Sequence, residues 1–352
     1  MKNALCTRLN LQYPLVQAPM AGVSTPELAA AVSNAGALGS ISVGAATPEQ
    51  AEVMIGKTQA LTDGPINVNV FCHPPVQRDA ALEQAWIERF TPLFRQYGAE
   101  PPAGLSEIYQ TFHDNARMLE VLLTLRPAVV SFHFGIPSAA FIGQLKARGI
   151  VTFASATTPA EARQIADSQI DVIVAQGIEA GGHRGQFNLQ EDDRRLTTFT
   201  LLQAIRQVTD VPVIAAGGIM DGAGMAAMLK LGAAGVQLGT AFILCPESAA
   251  NPAYRRTLQS PQAAHTVMTS AISGRPARCI NNAFCQFARD IAPDSIPPYP
   301  LTYALGKALA AAAGAQGEAG FGAQWAGQGA ALAREMPAAR LVQTLVAEWQ
   351  AG

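Results

Sequence analysis

A chain of 352 residues with 24 Lys and Arg against 26 Asp and Glu carries a formal charge of −2. That balance excludes a basic nucleic-acid binder, and 49% hydrophobic residues exclude a disordered chain. Charged residues make up only 14%, below the roughly 25% usual for soluble domains, so the architecture is large and mostly buried. At roughly 150 residues per domain, the length allows about two domains or one barrel with additions.

Residues 1–10 hold no apolar stretch behind a basic start, so no secretory signal is expected. Short apolar, β-branched-rich runs follow at about 14–18, 37–42, 66–71, 128–133, 150–155, 171–176, 212–216 and 235–239. Such continuous runs suit parallel strands buried on both faces. Helical patterns fill most gaps, at 26–35, 48–58, 115–125, 138–148, 159–167, 198–208 and 222–231. Eight strands alternating with helices predict an α/β fold, a (β/α)8 TIM barrel more than a doubly wound open sheet. The uncharged run from Leu28 to Pro48 is broken by Ser33, Asn34, Gly36, Gly39 and Gly44. It reads as helix, turn and strand, with no membrane partner.

Helix starts support the count. Thr25-Pro26-Glu27, Thr47-Pro48-Glu49 and Thr158-Pro159-Ala160-Glu161 each place a hydroxyl cap before a proline and an acid in the first turn. The third also fits a capping box. Gly36, Gly149 and Gly232 fall where helices should stop. Two segments do not fit a bare barrel. Residues 72–115 are too long for a plain connection. From 246 onward the pattern shifts to long helices, a bend rich in proline (Pro293, Pro297, Pro298, Pro300) and an Ala-rich stretch. The expected division is a barrel over 1–245 and a mainly helical region over 246–352. That region supplies a lid over the site and C-terminal helices that pack on the barrel. Five cysteines without a CxxC read as reduced thiols of a cytoplasmic protein, not a disulfide frame or a zinc site.

In such barrels the site lies at the C-terminal strand ends. The run 212–216 leads into Gly217-Gly218, and 235–239 carries Gln237-Leu238-Gly239 with Thr240 behind it. Loops at these two places are the usual phosphate site, because glycine admits backbone N–H groups and a helix N-terminus favours an anion. Asn69 and Gln176 are amides at strand ends, suited to the pyrimidine edge of a flavin, although Asn69 also fits a structural cap. Residues 177–185 carry Gly177, Gly181, Gly182 and Gly185 with His183 and Arg184, a loop that hugs a ligand; Arg184 equally fits a surface salt bridge. His133 closes the run 128–133 and can serve as a base for an acidic C–H or as an electrostatic partner for an anion. His183 is the second candidate. His73, His113 and His265 have weaker positions, and no cluster shows metal-ligand spacing. Tyr299, Tyr303 and Lys307, four apart, are expected on one face of a helix that Pro300 starts, where they can orient a small anion. Tyr109 in the 72–115 segment is a candidate to join them.

These residues carry a resemblance. Gln17-Ala18-Pro19-Met20-Ala21-Gly22 with Leu28 to Gly39 resembles the opening motif of the nitronate monooxygenases, formerly 2-nitropropane dioxygenases. Ser131-Phe132-His133-Phe134-Gly135, Gln176-Gly177 to Gly185, Gly217-Gly218-Ile219 and Gln237-Leu238-Gly239-Thr240 are similar to the remaining motifs of the class I bacterial group, in order across residues 17–240. The resemblance implies an FMN-dependent barrel that oxidises alkyl nitronates, above all propionate 3-nitronate, with O2. The products would be a carbonyl compound and nitrite, formed by way of a flavin semiquinone without NAD(P)H. It makes His133 the catalytic histidine and assigns FMN contacts to Asn69, Gln176, Gly181, Gly218 and Gln237 to Thr240. Pro19, Met20 and Ala21 would line the flavin. A nitronate arrives deprotonated, so His133 would stabilise charge and act as a base only on neutral nitroalkanes. Two other readings remain open: an FMN-dependent NAD(P)H:quinone or enoyl-acyl-carrier-protein reductase, and a flavin-binding barrel without catalysis.

Overall fold

The computed structural model describes residues 3–351. Eight parallel strands form one sheet: β1 (Leu15–Gln17), β2 (Gly39–Ser42), β3 (Ile66–Phe71), β4 (Val129–His133), β5 (Val151–Ala156), β6 (Val172–Gln176), β8 (Val213–Ala216) and β9 (Gly235–Leu238). They run in the order β1-β9-β8-β6-β5-β4-β3-β2. A parallel bridge from Val16 to Leu38 joins the two ends, so the sheet closes into the (β/α)8 barrel. The register pairs Asn69 with Ser131, and Ala216 with both Gln176 and Gln237. Side chains at the strand C-termini therefore share one mouth.

Helices α2 (Pro26–Asn34), α3 (Pro48–Leu61), α5 (Ala116–Leu125), α6 (Ala139–Ala147), α7 (Pro159–Asp167), α8 (Thr198–Arg206) and α9 (Gly222–Lys230) lie along the chain between the strands. Thr25, Thr47 and Thr158 cap their helices as expected, each ahead of a proline in the first turn, and Thr47 as well as Thr158 completes a capping box. Gly36, Gly149 and Gly232 follow the C-caps with positive φ. Inside the barrel Val16, Phe153 and Ile214 pack with Leu5 and Leu9 of α1 (Ala4–Leu9), a helix the apolar periodicity did not predict.

The 72–115 segment holds α4 (Ala80–Gln96), with Pro92 inside it. Its Trp86, Phe90 and Phe94 pack against Leu301, Leu305 and Leu309 of α12 (Leu301–Ala315) and Phe284 of α11 (Ala283–Phe287). The expected long helices after 246 are partly replaced. Beside the short α10 (Pro252–Leu258) and α11, an antiparallel hairpin forms from β10 (Thr266–Thr269) and β11 (Ala277–Ile280), and β11 also pairs with the two-residue β7 (Gly182–His183). The final helix, α13 (Ala338–Ala351), packs between α9 and α2 and so takes the eighth place in the helical ring. The additional segment is thus inserted between the last strand and its helix. No helix among the described residues is long and apolar enough to cross a membrane.

Candidate active site

A cavity of about 720 Å³ opens at the C-terminal ends of the strands, a size that takes an organic cofactor with a small substrate. Pro19, Met20 and Ala21 enter it after β1, Asn69 from β3, His133 from β4 and Gln176 from β6. Gly181 and His183 come from the loop after β6, Gly217 and Gly218 from the turn after β8, and Gln237, Leu238, Gly239 and Thr240 from β9 and beyond. Tyr109 reaches in from the 72–115 segment, and Tyr299, Tyr303 and Lys307 from the C-terminal one. His73, His113, His265 and Arg184 do not line it.

His133 is held at both ring nitrogens. Nε2 lies 3.1 Å from the His183 carbonyl, which only accepts, so Nε2 carries the proton. Nδ1, 2.9 Å from the Ser155 hydroxyl, is then the acceptor. Burial pulls the pKa down to about 4; the bond to the carbonyl opposes this, and the charges of Arg275 and Arg184 add to it. His183 is treated alike. Its Nε2 lies 2.9 Å from the Ser273 hydroxyl, and burial, then His133, then Arg275 bring its pKa down to about 3. Both imidazoles are neutral at neutral pH.

The strand-end amides are tied to the barrel. Asn69 Nδ2 donates to the Ser131 carbonyl and hydroxyl at 3.1 and 3.0 Å, while its Oδ1 accepts from Ser42 at 3.2 Å. Gln176 Nε2 donates to the His183 carbonyl at 2.8 Å and Oε1 accepts from the Gly185 N–H at 2.8 Å. The second Nε2 hydrogen of Gln176 is not used in these two bonds. Arg184 is buried, not at the surface. It holds Asp193 through two bonds of 2.9 and 3.0 Å and the carbonyls of Gln176 and Gly177, which fixes the loop that carries His183.

The turns after β8 and β9 have an open glycine backbone, but no free helix end lies beside the first. Gly217 and Gly218 have φ of 121° and 71°, which only glycine adopts readily. A Cβ on Gly239 would meet nothing closer than Ala18 Cβ at 3.4 Å, so the cradle stays open. The N-terminus of α9 is not available to an anion, however. Asp221 accepts from the Gly224 N–H at 2.8 Å and Glu348 from the Gly222 N–H at 2.9 Å, so two carboxylates already occupy it.

The opposite wall is aromatic. Tyr109 lies edge-on to Tyr303 at 5.7 Å, and Lys307 Nζ stands 5.0 and 5.3 Å from their ring centroids. Burial pushes the Tyr109 and Tyr303 phenols up to about 12. Tyr303 and Lys307 share a face of α12, but Tyr299 does not belong to that helix: Pro300 occupies its N-cap, and Tyr299 sits in the preceding turn. Tyr299 still reaches the cavity, 5.6 Å from the His183 ring, and its buried hydroxyl has no partner.

Sequence reasoning missed Ser155, Ser273, Trp325 and Arg275. Ser155 was within reach, since it stands at a strand end by the same rule that singled out His133. Trp325, 5.0 Å from His183, comes from a stretch of turns without periodicity and carried no signal. Among the described residues no group of His, Cys, Asp and Glu is arranged to hold a metal ion.

Fold and cavity together define an enzyme of the (β/α)8-barrel class, with its site at the strand C-termini. The nitronate monooxygenase family profile matches residues 2–348. A nitronate monooxygenase of Paraburkholderia phytofirmans is 54% identical, over 99% of this chain and 95% of its own. One of Pseudomonas aeruginosa is 51% identical, over 97% of both. Among solved structures, a nitroalkane oxidase from Streptomyces ansochromogenes superposes with a TM-score of 0.90 at 38% identity, covering 99% of this chain and 98% of that one. FabK from Thermotoga maritima superposes at 0.76 with 28% identity, over 100% and 97%. The chain belongs to the nitronate monooxygenase family and is an oxidoreductase.

Proposed function

We propose that the cavity binds FMN and a small alkyl nitronate, with propionate 3-nitronate as the preferred substrate, and oxidises it with O2 to a carbonyl compound and nitrite. One observation carries the reading: neutral His133 and the Tyr109, Tyr299, Tyr303 and Lys307 wall converge on a single cavity with the glycine cradle. The residues fit the cofactor. Gly217, Gly218, Gly239 and Thr240 would hold its phosphate, Asn69 and Gln176 its polar edge, and Pro19, Met20, Ala21, Gly181, Gln237 and Leu238 its ring. The chemistry FMN supplies when bound is acceptance of electrons from the nitronate and their delivery to O2.

The protein groups bind and orient. Lys307 offers a cation to the substrate carboxylate, and the buried phenols donate hydrogen bonds without ionising. His133 near pKa 4 is a weak base whose lone pair already accepts from Ser155. It therefore serves as a fixed, neutral polar group beside an anion that arrives deprotonated, and neutral nitroalkanes are the poorer substrates. An FMN-dependent NAD(P)H:quinone or enoyl-acyl-carrier-protein reductase on the same barrel is the second reading. O2 consumption with propionate 3-nitronate, run beside anaerobic bleaching by NADH, separates the two. Rapid bleaching without nitronate turnover selects the reductase, and a protein that takes up no FMN overturns both.

A further inference from the structure

Arg275 sits in the turn between β10 and β11 and is 2% exposed. Its guanidinium lies 4.3 Å from the centre of the Phe134 ring, and one Nη donates to the Gln186 carbonyl. Nε has no partner, and Arg275 forms no ion pair among the described residues. Five titratable groups interact with this charge: His73 after β3, His133 on β4, His183 on β7, Glu161 on α7 and Tyr299 before α12; His113 bears in turn on His73, Arg184 on His133, and Tyr109 and Tyr303 on Tyr299. Glu161 is the one acid among them, and its carboxylate already accepts from Thr157 and the Phe187 N–H. A buried cation left without an acid is costly to the fold, and tying Gln186 needs only one of its five N–H groups. Phe134 connects it to the cavity, its ring 4.6 Å from that of His133, 5.5 Å from His183 and 5.4 Å from Tyr299.

We infer that Arg275 is a positioning residue of this site: an unpaired cation whose field, carried past Phe134 to His133 and His183, favours an anionic substrate on that side of the cavity. The inference rests on the nitronate reading above. The guanidinium stays protonated, since burial lowers its pKa only to about 10. It adds to the burial that keeps both imidazoles neutral, so the wall attracts an anion without offering it a proton.

The test uses the flavin-loaded protein with Arg275→Met, which keeps the apolar stem on Phe134, and Arg275→Lys, which keeps the charge. In Arg275→Met the KM for propionate 3-nitronate should rise about tenfold, more than kcat falls, while neutral nitroethane is unaffected. Histidine-selective NMR titration should show the His133 and His183 pKa values raised, and the acid limb of the pH profile should move up with them. Arg275→Lys should restore most of both. An unmoved acid limb and unchanged KM in Arg275→Met overturn the inference, as does Arg275→Lys failing alongside it with normal melting. If Arg275→Met does not fold, Arg275→Lys is read alone: both imidazole titrations and the KM should match those of the unaltered protein, and a raised KM or raised imidazole pKa values with normal melting overturn the inference. A parent that oxidises no nitronate instead removes the functional reading, while the titrations still report on Arg275.

Discussion

On the barrel side of the cavity, Asn69, His133 and Gln176 stand at the ends of strands, and hydrogen bonds to neighbouring strand ends and the following loop fix their side chains. On the other side, Tyr299, Tyr303, Lys307 and Trp325 come from helix, turn and loop; Tyr303 packs on Trp325, Tyr299 on Tyr109 and His183, and Lys307 stands over the Tyr109 and Tyr303 rings. The first wall is rigid because the ladder beneath it is closed. The second depends on one inserted segment docking correctly. The seam between them is backbone on backbone: Gly181 faces Gly327, and the Gln328 N–H donates to the Glu179 carbonyl at 2.9 Å.

Breaking that seam should have the largest effect. A Cβ on Gly181 would stand 2.5 Å from the Gly327 nitrogen, so Gly181→Val should cost about 3 kcal/mol by overpacking and yield protein that retains no FMN. Thermal unfolding and the flavin absorbance of the purified protein check this; normal melting with full flavin would show the two walls to be independent.

Acid should come next, striking the barrel wall and the loops beside it. His73 and His133 are pulled to about 4 and His183 to about 3, all by burial first, against 6.5 unfolded. The unfolded chain binds more protons between those values, so stability is full above pH 6.5 and declines as pH falls toward 4. At pH 5 each neutral imidazole should account for about 2 kcal/mol of that loss. Denaturant titrations at pH 7 and 5 measure it, and equal stabilities would contradict the neutral assignment.

His133→Asn then isolates the barrel side: nitronate turnover should fall about tenfold, since the shorter amide cannot hold the Ser155 hydroxyl and the His183 carbonyl together, with FMN still bound. Unchanged turnover would remove His133 from its role. Lys307→Met isolates the other side and should raise KM severalfold for a nitronate bearing a carboxylate, with little change for one without. Equal effects on both substrates would mean that Lys307 supports the wall by packing on Tyr109 and Tyr303 instead of pairing with the ligand.

The same division decides what was legible in the sequence. The strands, the caps and the strand-end residues are local patterns, and Thr158, Gly149 and His133 occupy the places those patterns assign. Helix α4 was hidden by Pro92, which reads as a breaker although it lies within the helix. The β10–β11 hairpin was hidden because its half-buried Thr266–Thr269 strand lacks alternation. Tyr299 reaches the cavity from outside the helix assigned to it, since a four-residue spacing cannot reveal that Pro300 is the cap. Arg275 carried no signal, because nothing local marks a charge that tertiary packing will bury.

The position of α13 bears on how the chain is made. It fills the gap between the first and last units of the ring, and its Glu348 caps α9 and pairs with Arg334. During synthesis the nascent barrel must therefore wait, with β9 already formed and that side of the ring bare, for some hundred further residues to emerge. Ring completion thus waits on the segment that also carries the Tyr303–Lys307 wall, so the two are late and linked events.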